Sequence, residues 1–552
     1  MATFGVELEP PVVAESVERG GCGLEYGDSL RSGRAYPLAL VSGLTLLAAL
    51  IEGYHPLAED GGLYVAGVKR LLNPALYPQH AAFVLEPTRH SIFAPMVVAV
   101  VRLSHLSLPW VLLALHLACI WLTLFAAWML AERCWAERTA RVGAVTLLAC
   151  WLSLPVAGTA LLLMDPYLTA RSFSTPAMVL ALLGALDWSE QICSGSGTNA
   201  AQWRSASLWA TSLLMSAAIH PLMAVYALAA TLMLVCARLQ RRGLRLWGML
   251  LLIASALALA ACLQAVARPE SAAYLHVALT RSYWFVTQWR WFELLGLAAP
   301  LAILAGFSGN SRQSDSTAKE EERHILARQA LSRMAVAIGT TAWLVATLFA
   351  RAAAATHLVA RLQPLRSFQI VYLILAMTLG AHLGKRMLQK SRWRWTLTIL
   401  LLGGIMFCAQ RASFPHSNHL ELPGVAPRNQ WAQAFLWISR NTPTDALFAL
   451  DPDYINAPGE DAECFRAIAE RNALADYSKD GGEASIAPEL TAEWAQQQAA
   501  QQGLDVPLTT DAERLAALGP LGVTWVVLQA DAVTGFDCPY RNAVANVCRL
   551  PN

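Results

Sequence analysis

The chain has 552 residues, of which 56% are hydrophobic and only 14% charged, and its formal net charge is +2. A soluble domain carries about 25% charged residues, so a soluble globular protein is excluded. Basic residues scattered over short loops, with no stripe among them, exclude a nucleic-acid partner as well. The small net charge hides a split: Gly424–Asn552 holds 17 acidic and 8 basic residues, net −9, which leaves +11 for the remainder. That is the pattern of a membrane part with basic loops joined to an acidic aqueous domain.

In chain order, residues 1–35 read as a cytoplasmic N-terminal segment. Its first 30 residues are polar, carry Glu7, Glu9, Glu15 and Glu18, and lack the basic start of a cleavable signal. Eleven apolar windows follow, at about 36–52, 109–131, 142–163, 174–187, 205–219, 222–237, 246–266, 291–307, 334–350, 367–384 and 395–409. The windows around Pro109–Ala131 and Leu246–Val266 hold no formal charge and are long enough to cross about 30 Å of hydrocarbon. Ile92–Val101 is too short to span and reads as an interfacial or re-entrant helix. It sits in a long first outer loop, 53–108, whose first half is polar. Ser308–His324 is rich in Ser and charge and reads as a cytoplasmic connector.

The expected architecture is thus a polytopic α-helical membrane domain over 36–410, a linker over 411–428, and a small α/β domain over 429–552. In that last domain Trp431–Arg440 reads as an amphipathic helix stopped by Asn441-Thr-Pro443. Ala446–Leu450 and Val523–Leu528 read as buried strands, and Cys464–Asn472 and Glu489–Gln502 as helices. Of eleven cysteines, Cys538 and Cys548 lie ten residues apart. In an oxidising compartment they could close a loop worth roughly 2–3 kcal/mol, or stand as two free thiols.

Orientation follows from basic residues in short loops. With the N-terminus inside, the cytoplasmic turns hold 18 of them, from Arg133 to Arg394, and the short outer loops seven. An odd number of spans then places the C-terminal domain outside the cytoplasm. The same assignment puts three carboxylates on the outer face. Glu59 and Asp60 lie in Ala58-Glu-Asp-Gly-Gly-Leu-Tyr64, read as an exposed loop. Asp165 lies in Met164-Asp-Pro-Tyr-Leu-Thr-Ala-Arg-Ser-Phe173. One carboxylate can take a proton from an attacking hydroxyl, and another can hold a divalent cation, Mg²⁺ or Mn²⁺, or orient an acceptor.

This arrangement resembles the GT-C superfamily of membrane glycosyltransferases, which includes protein mannosyltransferases, oligosaccharyltransferases and the aminoarabinose transferase of lipid A. The resemblance covers roughly residues 36–190 and, loosely, the soluble tail. It implies a long first outer loop with an essential carboxylate near the end of span one, matched by Asp60 as the base or metal carboxylate, with Glu59 as competitor for that role and Asp165 as its partner. A second carboxylate lies in the next outer loop, matched by Asp165 before Pro166. It also implies a polyprenyl-phosphate sugar donor, an inverting transfer to a glycan, lipid or protein acceptor, and residence in a bacterial cytoplasmic membrane as part of cell-envelope chemistry. No WWD-type motif stands in the tail, which argues against an oligosaccharyltransferase.

A lipid-phosphate donor needs cations at the outer interface. Arg171, Arg281, Arg290, Arg361 and Arg366 are placed there, with Arg361 and Arg366 as the best pair, and guanidinium suits phosphate because its fork bonds two oxygens at once. The ordinary reading of each is an interfacial arginine reaching lipid head groups. His220, before Pro221, reads as an auxiliary proton carrier or ligand, or as a hydrogen-bonded turn residue. The competing class is a transporter or lipid-binding scaffold. Such proteins favour ionisable residues near the midplane and repeated, broken helices. Here only Glu293 lies clearly within a span, and no internal repeat is visible.

Overall fold

A backbone crossing hydrocarbon must satisfy its own N–H and C=O groups, and a helix does so within one segment. The computed structural model, described here for residues 25–79, 81–195, 198–309, 319–456, 461–506 and 508–551, is accordingly mostly helical. The acidic start of the chain and the centre of the Ser308–His324 connector lie outside the described residues. Helix α1 (Glu25–Glu52) leads into α2 (Glu59–Leu72), α3 (Ala81–Arg89) and α4 (Phe93–Ser104). The helices α5 (Leu108–Cys134), α6 (Arg138–Cys150), α7 (Ala170–Ser194), α8 (Asn199–Ile219), α9 (Pro221–Arg238) and α10 (Arg242–Val266) follow. Beyond them come α11 (Ala272–Thr280), α12 (Trp291–Ser308), α13 (Lys319–Phe349), the single turn α14 (Leu358–Arg361), α15 (Phe368–His382) and α16 (Arg392–Ser413).

Among the described residues, eight helices are long and apolar enough to cross a membrane: α1 from Ala35, α5, α9, α10, α12, α13 from Glu320, Leu358–Leu388 and α16. Their outward faces are apolar too. Leu250, Leu251 and Leu259 on α10, and Leu397, Leu400 and Leu401 on α16, are exposed, which only a hydrocarbon solvent tolerates in such density. The molecule is an integral membrane protein. Ten of the eleven apolar windows fall on helices and the 142–163 window does so only in part, but α6, α7 and α8 miss the length or apolarity of a span, so eleven crossings are not established. The 142–163 window needs correction. Helix α6 stops at Cys150, and residues 151–169 run as irregular chain with a bridge between Pro155 and Leu162. Pro155 and Pro166 cannot donate to a helical ladder, and apolarity alone did not reveal the break. The short Ile92–Val101 segment belongs to α4, which meets α3 at 93°.

Helices α6 and α15 cross at glycine. A Cβ on Gly143 would lie 2.2 Å from the Gly380 carbonyl oxygen, so only hydrogen fits there. This contact fixes α15 behind the irregular segment, and Gln369 of α15 donates to the Leu163 carbonyl at 2.8 Å.

The C-terminal domain is a five-stranded sheet of order β2-β1-β3-β5-β4, built from β1 (Leu447–Ala449), β2 (Asn472–Ala473), β3 (Trp525–Gln529), β4 (Asp537–Arg541) and β5 (Ala545–Arg549). β1 pairs parallel with β2 and β3, and β5 pairs antiparallel with β3 and β4. Helices α17 (Gln430–Asn441) and α18 (Phe465–Ala469) cover one face through Trp431, Phe435, Ile438 and Phe465. Leu447, Leu504, Leu518, Val526 and Leu528 form the core on the other, with α21 (Asp511–Leu518). The Cys464–Asn472 window splits into α18 and β2, and β4 and β5 escaped the sequence reading because Pro539 and polar residues break their alternation. Cys538 and Cys548 are paired in a disulfide.

The sheet domain sits on the first loop. Leu57 O accepts from Cys464 N–H at 3.1 Å, Ala462 O from Glu59 N–H at 3.0 Å, and Glu470 from Lys69 at 2.6 Å. Gly62 makes the approach possible, since a Cβ there would come 2.2 Å from the Cys464 Cβ. Two further helices, α19 (Lys479–Ile486) and α20 (Thr491–Gln501), lie between the sheet and the bundle.

Candidate active site

A cavity of about 1110 Å³ opens where the helical bundle meets α19. Its wall takes residues from six connections at one end of the bundle: Asp60 after α1, Asp165 after α6, His220 after α8, Arg281 after α10, Arg366 after α13, and Phe414 after α16. The connections with clustered basic residues lie together at the other end. There Arg133 bonds Asp187 at 2.8 Å, Arg238 approaches Glu190 at 3.7 Å and Arg323 approaches it at 3.5 Å.

Glu59 and Asp60 occupy the first turn of α2, where the helix dipole favours negative charge. They are not on an extended loop. Glu59 adopts φ +51°, and its N–H is held by Ala462. Asp165 is held by the irregular segment, which Gln369 grips from α15 and which accepts from His55 N–H through the Pro166 carbonyl at 2.8 Å. Arg171 is the second residue of α7, whose start is set by a reciprocal cap between Thr169 and Ser172. One Arg171 nitrogen, Nη2, donates to Asp165 Oδ2 at 2.9 Å and to Asp60 Oδ2 at 3.0 Å. Lys479, the first residue of α19, reaches down from the sheet domain. Its Nζ donates to Asp60 Oδ1 at 3.1 Å and also to Glu59.

These contacts separate the two aspartates electrostatically. Burial opposes ionisation of Asp60, but Lys479 and Arg171 overcome it and hold the carboxyl well below the usual range. Burial dominates at Asp165 and raises its carboxyl, with Arg171 offsetting only part. Glu483, one turn along α19 and also in the wall, is pushed up to about 8 by burial and by the negative charge of Asp60. His220 is lowered to about 3 by burial and by Arg171 and Arg366, so its ring is neutral.

Eight sequence-selected residues line this cavity, Glu59, Asp60, Asp165, Arg171, His220, Arg281, Arg361 and Arg366, whereas Arg290 is not in its wall and lies over the Phe292 ring instead. The arginines differ in what they have left to offer. Arg281 donates to the carbonyls of Ser478 and Tyr477, both at 2.7 Å, and so grips the start of α19. Arg361 donates to Ile486 O at 3.3 Å at the far end of that helix. Arg366 has a buried Nε with no partner among the described residues. A divalent cation does not fit the carboxylates as they stand. Both aspartates are bound to Arg171, and among the described residues no group of three or more His, Cys, Asp or Glu side chains could hold a metal.

No known family profile matches the chain, and no curated protein matches it in sequence. Among solved structures, the chain is similar to the Archaeoglobus fulgidus oligosaccharyltransferase AglB in complex with an inhibitory peptide and a dolichol-phosphate. Identity is 12% and TM-score 0.48, over 90% of this chain and 70% of that one. It is also similar to the Archaeoglobus fulgidus oligosaccharyltransferase tethered to an acceptor peptide containing the NVT sequon, at 13% identity and TM-score 0.49, over 90% and 69%.

Lys479 and Glu483 are cavity residues that escaped the sequence reading. Both lie more than 400 positions from Asp60 in a domain read as an aqueous appendage. The one local signal was a cation in an acidic stretch, Asp476-Tyr-Ser-Lys-Asp480. Glu293, the only carboxylate read clearly within a span, caps its own helix by accepting from Arg290 N–H at 2.6 Å.

Proposed function

We propose that the protein is a GT-C-type glycosyltransferase that moves a sugar from a polyprenyl-phosphate donor to an acceptor on the non-cytoplasmic side of the membrane. The observation that carries this is the convergence of Asp60, Asp165 and Arg171 in one cavity with Arg366, whose Nε has no partner among the described residues, at the junction of bundle and aqueous domain. Arg366, with Arg361 in the same cavity wall, receives the donor phosphate, where a guanidinium neutralises charge that grows as the phosphate leaves. The acceptor O–H gives its proton to a carboxylate as its oxygen bonds the anomeric carbon. The bond from that carbon to the phosphate oxygen breaks, and polyprenyl phosphate departs with the electron pair.

The electrostatics favour Asp165 as the proton acceptor, because a general base works best with a pKa near the operating pH. Asp60, pinned by two cations, remains ionised and positions Arg171 and Lys479. Glu483, protonated at neutral pH, offers a hydrogen bond to an acceptor or sugar oxygen. The outward orientation rests on the excess of basic residues in the loops at the opposite end.

The test is an assay of the purified full chain, reconstituted in lipid, for hydrolysis of or transfer from polyprenyl-phosphate sugars. Turnover that disappears in Asp165→Asn supports the reading. A correctly folded chain that turns over none of a panel of such donors overturns it.

A further inference from the structure

Two carboxylates facing one cavity are the usual oxygen ligands of Mg²⁺ or Mn²⁺. Here the place between them is taken. Nη2 of Arg171 bonds Asp60 Oδ2 and Asp165 Oδ2 at 3.0 and 2.9 Å, so the two oxygens lie no more than about 6 Å apart with a positive nitrogen between them. Arg171 is only 6% exposed and Asp165 5%. The second Asp60 oxygen is engaged by Lys479, which is also bound to Glu59. Three carboxylates thus face two cations, and a divalent ion would have to displace Arg171. That would leave a buried guanidinium without its partners, a strongly unfavourable change. Nor can Arg171 swing away freely, because it stands in the first turn of α7 behind the Thr169–Ser172 cap.

We infer that Arg171 is the resident cation of this site: it occupies the Asp60–Asp165 pair in place of a divalent metal, and sugar transfer here runs without one. The second half of that statement rests on the transferase reading; the first half does not. Arg171 then orients both aspartates and moderates the Asp165 carboxyl, and the departing phosphate is neutralised by Arg366.

The test titrates Mn²⁺ into the full chain in detergent after EDTA treatment and follows the free ion by electron paramagnetic resonance. Wild type is expected to show no site that depends on Asp165, and its donor turnover is expected to be unchanged by EDTA. Arg171→Met removes the charge at similar volume and frees both carboxylates. It is expected to acquire one Mn²⁺ site, lost again in Arg171→Met/Asp165→Asn, while turnover falls by at least about 10²-fold. One equivalent of Mn²⁺ bound by wild type and lost in Asp165→Asn overturns the assignment. So does turnover abolished by EDTA and restored by Mn²⁺. Should Arg171→Met fail to fold, the wild-type titration decides by itself. Mn²⁺ binding is read without turnover, so a wild type that binds none and transfers nothing upholds Arg171 as the cation and fails the transferase reading instead.

Discussion

Asp60 and Asp165 are the same side chain in different surroundings, and the proposed transfer gives them different work. Asp60 meets two cations and Asp165 shares one, in deeper burial. Asp165→Asn should therefore lower kcat by roughly 10²–10⁴-fold, the usual worth of a general base, measured as donor turnover. The base must be deprotonated to act, so kcat/KM should rise with pH through the Asp165 pKa. The acid limb should lie above the ordinary carboxylate value of about 3.9. A limb at or below that value would return the base to Asp60. Lys479→Met removes one of the two charges on Asp60 and frees Glu59, and should cost up to roughly 10²-fold through misplacement. Glu59 and Asp60 read as neighbours on an exposed loop, yet a single lysine from a distant domain bonds both.

Helix α19 is the element on which the site depends, and Arg281 is its clamp. Sequence reading grouped Arg281 with the donor-binding arginines, but its guanidinium is committed to the Tyr477 and Ser478 carbonyls and to Thr280. Arg281→Met should consequently lower kcat by up to roughly 10²-fold with little change in donor KM. Arg366→Met should instead raise donor KM. The opposite split in steady-state kinetics would restore Arg281 as a phosphate ligand. Where α6 meets α15 the prediction concerns stability. Gly380→Ala forces a methyl to within 2.3 Å of the Gly143 carbonyl oxygen. Overpacking of this kind costs about 1–3 kcal/mol, visible as a lowered midpoint of thermal unfolding in detergent.

Across the whole molecule, acids with raised pKa values lie in the aqueous domain and in the linker that leads to it, where Glu421 meets His55 at 3.1 Å. Glu421 is raised to about 8, mainly by burial, and Glu463 is raised by burial and by Glu421. Asp476 is raised to about 7 by burial and by Asp480, and Glu483 to about 8. A carboxyl whose folded pKa exceeds its unfolded value binds more protons when folded. Its stabilising effect is complete below about pH 4 and is lost as the pH rises through the folded value. His55, lowered to about 4 by burial, acts in the other sense and loses stability as the pH falls below about 6.5. The unfolding midpoint should be highest in mild acid and should fall between about pH 6 and 8. A midpoint that climbs over that interval would show these acids ionised in the fold. Topology is the other whole-molecule prediction. A reporter active only outside the cytoplasm should be active when fused after Asn552, and silent when placed at Asp315. The reverse pattern would turn the cavity inward and remove a lipid-phosphate donor on the outer face.

The amino-acid sequence by itself determined that the chain lives in a membrane, because uncharged windows of twenty or more residues have no other stable solvent. It also determined which connections share an end of the bundle, because helices joined by short turns must alternate in direction, and so it brought Asp60, Asp165, His220 and Arg366 to one side. It could not show that α6 ends at Cys150, because apolarity continues past Pro155 while backbone hydrogen bonding does not. Only the tertiary structure decided that Arg171 lies between the two aspartates, that Lys479 descends on them from the sheet domain, and that Arg281 holds a helix rather than open cavity. Each of these is a contact across 6 to 420 residues, fixed by how whole elements pack, and no local pattern of polarity records it.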